Sequence, residues 1–419
     1  MKRKNKILSL ITLIISGSSL FAQMPTMITE SNNSNKYSND QIATNINEII
    51  SAKLYKKITG NEKTEKDLII ILKNNGQLSS YDFQTLEHKW DLIFSDSSYN
   101  KMRNHFKVEN SILYTTSTQR ELLAINVNNG EKYWKTQIGQ NNKVSKRYMI
   151  NGQHLPIKGS LIYLASNNKQ LYAFNKLNGS ITWNYKLDFP FNNYSPVINN
   201  NQLVISNAPW IYCFEARTGK AIWQRGFGNV PMYSNLQIDN EKVYTASEGN
   251  KIYSLNINNN AAIDWEIETE NNHPRIGENT ILGDNVYYFG AKNDKGSTTI
   301  TAINTANGEK IWQSNLKNLG TEINVFCKYN NYILGFTNAQ ENSFFLINSI
   351  TGEEVEVKSP KENALSNIFN IEDKLVFISK NYLTTFNLKE KEFSYRDLKL
   401  DYEVNDDFNL YFEIIQKKK

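Results

Sequence analysis

Closely similar phrases recur along this chain about every forty residues, and that repeat constrains the fold more than any other feature. "INVNNGEKYWKTQI" (125–138), "FNKLNGSITWNYKL" (174–187) and "INTANGEKIWQSNL" (303–316) share one order of apolar, turn and aromatic positions. Aligned along the chain, the phrase occurs eight times, with key positions Trp90, Trp134, Trp183, Trp223, Trp265, Trp312, Glu356 and Tyr395. A period in the low forties, built of several short strands, predicts a β-propeller with one blade per repeat.

Each unit supports that reading. In the third copy "SLIYLAS", "QLYAFN" and "SITWNYKL" read as strands, separated by the turns "NNK" and "KLNG". Alternating and β-branched positions bounded by Asn, Asp and Gly favour strands over helices. A fourth, innermost strand precedes each unit, as in "YSPVINN" (194–200) and "YSNLQIDN" (233–240). The Asn-Gly and Thr-Gly pairs suit tight turns, which need positive φ. The expected fold is all-β: eight blades of four antiparallel strands, almost no helix, with a seven-bladed ring as the alternative. "FNLYFEIIQ" (408–416) reads as a strand that closes the circle, beside residues 50–60.

The first residues follow a different rule. "MKRKNK" is basic, "ILSLITLII" is apolar but too short to span a bilayer, and "SGSSLFA" is a small-residue exit. A signal peptide over 1–22 is therefore expected, then an Asn/Ser-rich linker and entry segment over 23–57 and the propeller over 58–416. With Lys2, Arg3, Lys4 and Lys6 removed, the formal charge of +5 falls to about +1. A basic nucleic-acid binder is thereby disfavoured. No later stretch is long and apolar enough for a membrane span.

Small residues precede the aromatic at fixed distances: Ala124/Gly130/Trp134, Ala173/Gly179/Trp183, Cys213/Gly219/Trp223 and Ala302/Gly308/Trp312. Copy one has Leu86 for Gly, and copy five has Ser254 and one extra residue before Trp265. This pattern resembles the tryptophan-docking motif of the PQQ-like propeller family over roughly residues 60 to 400. The resemblance implies that each Trp, Trp90 included, packs against small residues of a neighbouring blade. Trp134, Trp183, Trp223 and Trp312 are expected between blades, with the preceding Gly in contact. Cys213 fills an alanine site and Cys327 an inner strand, so both read as buried, inert thiols.

Chemistry is sparse. His88, His105, His154 and His273 show no metal spacing. No nucleophile elbow or phosphate loop appears, and "NDKGSTT" (293–299) reads as a hairpin turn rather than a calcium loop. The quinoprotein dehydrogenases share the fold but use an adjacent cysteine pair, whereas Cys213 and Cys327 are far apart in this chain. No catalytic residue, cofactor or metal is expected. In blade count the chain is similar to the BamB-type family of outer-membrane assembly subunits, a propeller without quinone chemistry. That resemblance implies an exported, monomeric scaffold with an envelope or outer-membrane protein partner, in the periplasm or secreted. Family members carry a lipid-modified Cys at the cleavage site, where this chain has Ala22–Gln23–Met24, so no lipid anchor is expected. A ligand-binding or quinone-dependent enzyme using the central channel is the alternative. Lys143, Lys146 and Arg147, in a long connection between repeats, are the candidate partner-binding residues.

Overall fold

A computed structural model describes residues 67–415 except 73–76, 94–105, 118–120, 140–154, 167–168, 189–194, 208, 229–231, 233–235, 248–250, 270–279, 293–297, 317–322, 338–343, 356, 358, 365, 381 and 399–410. Within that range the chain forms eight separate antiparallel sheets, seven of four strands and one of three. Blade 3 is representative: from centre to rim it runs Ile157–Lys158, Leu161–Ser166, Gln170–Asn175 and Ile181–Lys186. Blade 2 spans Lys107–Glu109 to Lys132–Gln137, blade 4 Val197–Asn199 to Ala221–Gly226, and blade 5 Gln237–Asp239 to Ala262–Glu268. Blade 6 runs from Thr280–Gly283 to Lys310–Asn315, and blade 8 from Phe369–Ile371 to Glu392–Asp397. Blade 7 has Ile323–Tyr329, Tyr332–Thr337 and Phe344–Asn348, then only an isolated bridge between Ile347 and Glu354.

Position in the ring explains the composition of each strand. The middle strands are covered on both faces by neighbouring blades, so they are continuously buried, as in "LIIIL" (Leu68–Leu72) and "LIYLAS" (Leu161–Ser166). Rim strands are covered on one face and alternate, with the Trp pointing inward: in His88–Ile93 only Trp90 is buried. Short inner strands of blades 4 and 5, 5 and 6, 6 and 7, and 8 and 1 touch one another around the centre. The core is therefore eight inter-blade layers rather than one nucleus.

The expected closing strand is present. Tyr411–Ile415 is a strand, pairs with Leu68–Leu72 and becomes the innermost strand of blade 1, while the expected neighbours 50–60 lie outside the described residues. The last strand of the chain thus completes the first blade, which ties the ends together and covers an edge that would otherwise stay open. The expected signal peptide, the 23–57 segment, Lys143, Lys146, Arg147, His105, His154 and His273 lie outside the described residues. Among the described residues no helix is long and apolar enough to cross a membrane.

Candidate functional site

The turn that leads into each rim strand is built from the sequence upward. In blade 2 the Asn126 side-chain oxygen accepts from Asn128 N at 3.0 Å, and Gly130 N donates to the Asn126 carbonyl at 2.9 Å. Asn175, Asn256, Asn304, Asn348 and Asn387 hold the same position, and Asp82 does so in blade 1. Short amide side chains bond their own backbone two residues on, which is why Asn recurs here. Gly130, Gly179, Gly219, Gly308 and Gly352 close these turns at φ between 72° and 76°.

Over each of these glycines lies an indole. A Cβ on Gly179 would stand 2.4 Å from Trp134, and Gly130, Gly219, Gly308 and Gly352 meet Trp90, Trp183, Trp265 and Trp312 in the same way. Each Trp therefore docks on the glycine of the following blade, not on the glycine that precedes it in its own phrase. The small residue of its own phrase sits beside it across the strand pair: Ala124 opposite Trp134, Ala173 opposite Trp183, Cys213 opposite Trp223 and Ala302 opposite Trp312. A register shift follows at once in every case, turning the strand toward the glycine turn.

One hydrogen bond completes each dock. The indole N–H of Trp90, Trp134, Trp183, Trp265 and Trp312 donates to the carbonyl of Val127, Lys176, Ala216, Thr305 and Ser349, at 2.9 to 3.2 Å. That carbonyl lies three residues before the glycine. Trp223 donates to Ile257 at 2.8 Å, where the extra residue of copy five is taken up by a 3-10 turn and Asn260 at φ 48° stands for glycine. A buried indole needs a partner for its N–H, and one fixed carbonyl per interface supplies it.

A second aromatic at four of the six docks escaped the repeat alignment. Tyr114, Tyr163, Tyr244 and Tyr288, on second strands, lie 5.8 to 6.1 Å from the ring centres of Trp134, Trp183, Trp265 and Trp312. Tyr163 and Tyr288 donate to the same carbonyls as their Trp, those of Ala216 and Ser349. Burial pushes all four phenols above their ordinary pKa, Tyr163 to about 12. Their shared place in "ILYTT", "LIYLAS", "KVYTA" and "NVYYFG" was the available signal.

Reactive groups are few and separated. Cys213 in blade 4 is buried as expected, whereas Cys327 in blade 7 is only half-buried because its strand lies at the inner end of the blade; both are free thiols, pushed up to about 12 by desolvation. Their separation does not fit the adjacent pair of the quinoprotein dehydrogenases. His88 is exposed on the rim and contacts Asp91 at 3.1 Å. Among the described residues no cluster of His, Cys, Asp or Glu could hold a metal ion.

Eight blades, an indole dock at six interfaces and a closing strand from the C-terminus define a PQQ-like β-propeller. The chain belongs to the family described as outer membrane protein assembly factor BamB, whose profile matches residues 74–192 and 188–394. Among solved structures it is similar to BamB from Moraxella catarrhalis, at 14% identity and TM-score 0.53, over 74% of this chain and 88% of that one. It is also similar to Sqt1 of Saccharomyces cerevisiae, at 12% identity and TM-score 0.55, over 76% and 91%. A europium-containing methanol dehydrogenase matches at 9% identity and TM-score 0.51, over 71% and 78%. These likenesses concern the fold. No curated protein matches the sequence.

Proposed function

We propose that the protein is an exported, non-catalytic scaffold that binds a protein partner of the cell envelope and serves the assembly of outer-membrane proteins. The family match over residues 74–394 carries this reading. The architecture supports it physically. Turns between first and second strands, and between third and fourth, are short and braced, as at Asn110, Asn200 and Asn240, each at φ near 50°. The sequence between a rim strand and the next inner strand is longer, as between Gln137 and Ile157 and between Glu268 and Thr280. Long connections on a rigid frame are where binding residues concentrate.

Lys143, Lys146 and Arg147 belong to the first of those connections and are assigned to partner contact. Affinity capture from an envelope extract tests the reading. Wild-type protein is expected to enrich an envelope protein, with capture weakening as salt rises, because exposed charges are screened within about 10 Å at 0.1 M. Reversing all three charges is expected to reduce capture at an unchanged melting temperature. Enrichment of no envelope protein removes the scaffold role, and a native protein that retains residues 1–22 removes export.

A further inference from the structure

Between blades 5 and 6 the ring leaves a groove of about 260 Å³. Its origin is visible by comparison with the other interfaces. On the third strand, the residue just before the small docking residue points back at the previous blade. It is Leu123, Tyr172, Tyr212 and Tyr253 in blades 2 to 5 and Phe345 in blade 7, each part of the apolar layer. Blade 6 has Thr301 there, lining the groove. From the other side, the residue four past each docking Trp supplies a second plug: Ile138, Leu187, Phe227 and Leu316. Blade 5 has Thr269 there, also lining the groove. Both plugs are thus replaced by threonine at one and the same interface.

The remaining lining defines a chemistry. Phe289 and Ile303, themselves buried in the layer between the blades, back the groove with apolar carbon, while Thr269, Thr301 and Gln313 line it with groups that can bond a phenol hydroxyl. Ile267 and Glu268 of the blade 5 rim strand form one wall. That strand, Ala262–Glu268, ends its sheet and has no strand partner on its outer side among the described residues. An extended peptide can pair with such an edge while alternate side chains enter an adjacent pocket.

We propose that this groove binds a tyrosine side chain from an extended segment of a protein partner. The phenol fills from outside the space that Tyr172, Tyr212 and Tyr253 fill from within the chain at other interfaces. The protein nature of the occupant rests on the scaffold reading; the phenol site itself does not.

The test uses the full propeller and p-cresol, the tyrosine side-chain analogue, in saturation-transfer NMR. Wild type is expected to bind it with a Kd on the order of millimolar, about what a single small anchor gives. Thr301→Tyr restores the residue type of blades 3 to 5 and Thr269→Leu fills the groove from the opposite wall. Each is expected to weaken p-cresol at least about tenfold while the melting temperature holds or rises. No saturation in wild type, or equal saturation in a variant that melts normally, overturns the site. N-acetyl-Val-Tyr-Val-amide is the second probe. Binding at least about tenfold tighter than p-cresol supports an extended segment, and binding no tighter overturns that occupant. If p-cresol binds while envelope capture fails, the phenol site stands and the scaffold reading falls.

Discussion

Six interfaces of this ring and the two that flank blade 8 solve the same problem with different side chains. From blade 1 round to blade 7, every contact is an indole lying over a turn with its N–H on a set carbonyl. Between blades 7 and 8 a cluster of phenylalanines takes over, with Phe336, Phe344, Phe377, Phe386 and Phe393 in mutual contact. At the closing contact from blade 8 to blade 1, Tyr395 holds the Trp position and its neighbour Arg396 does the bonding. The Arg396 guanidinium donates to the Phe83 carbonyl at 2.8 Å and stacks over the Phe83 ring at 4.9 Å. Phe83 stands three residues before Leu86, as Val127 stands three before Gly130, so the same carbonyl is used with a charged donor.

The difference also explains Leu86. It holds φ 58°, a left-handed conformation that costs a non-glycine residue about 1–2 kcal/mol. No indole lies above it, so its side chain is free to pack with Val376, Ile378 and Leu398 in the closing layer. Glycine holds the left-handed position under five of the six indoles and Asn260 under the sixth, whereas a bulky Leu86 is accommodated where no indole sits.

Trp134→Ala is expected to have the largest effect, about 3–5 kcal/mol of stability for a truncated buried aromatic, whereas Tyr395→Ala, at a partly exposed position, should cost far less. Denaturant melts of the two variants compare the regions directly, and equal losses would break the distinction. Gly179→Ala follows. The left-handed backbone costs about 1–2 kcal/mol and the clash with Trp134 about 1–3 kcal/mol more. Gly228→Ala, at φ 67° with open space around the Cβ, should show only the backbone part.

Arg396→Met keeps much of the stem but removes the hydrogen bonds to the Phe83 and Gln84 carbonyls of the closing turn. A loss of about 1.5–3 kcal/mol is expected, as for hydrogen bonds to charged groups, with proteolysis beginning in blades 8 and 1 rather than elsewhere. Digestion that starts evenly around the ring would remove the special status of the closure.

Alkali acts on the other region. Tyr114, Tyr163, Tyr244 and Tyr288 all belong to indole docks, and burial raises their phenol pKa. In the unfolded chain tyrosine ionises near pH 10, about its reference value. The folded state holds these protons longer, so stability is full below about pH 10 and falls as pH rises toward 12. Tyrosinate absorbance should then climb together with the change in Trp fluorescence; separate transitions would show that the phenols do not report on the docks. The smallest effect is chemical. With thiols raised to about 12, roughly one part in 10⁴ is thiolate at pH 8. Alkylation of Cys213 should therefore wait for unfolding, with half-buried Cys327 the faster of the two, and rapid labelling of native Cys213 would contradict its burial.

Much of this was legible in the chain itself. Each repeat carries its own turn chemistry and its own Trp, and those are local: an Asn side chain bonds two residues on, and a glycine answers a positive φ. Counting such units predicts eight blades, and the rim, middle and inner strands follow from their apolar patterns. The repeat that loses its Trp at Glu356 is the blade with three strands among the described residues, although the repeat count alone predicts four.

Other features required the ring. Which glycine an indole covers cannot be read inside one repeat, because Trp134 and Gly179 meet only when blade 3 is placed beside blade 2. Leu68–Leu72 and Tyr411–Ile415 become neighbours only when the circle closes at a particular blade. Thr269 and Thr301 are unremarkable polar residues on two strands until the packing of blades 5 and 6 sets them in one groove. Local backbone preference settles the unit. Contacts between units depend on the angle at which whole sheets pack, and that is decided by the tertiary structure alone.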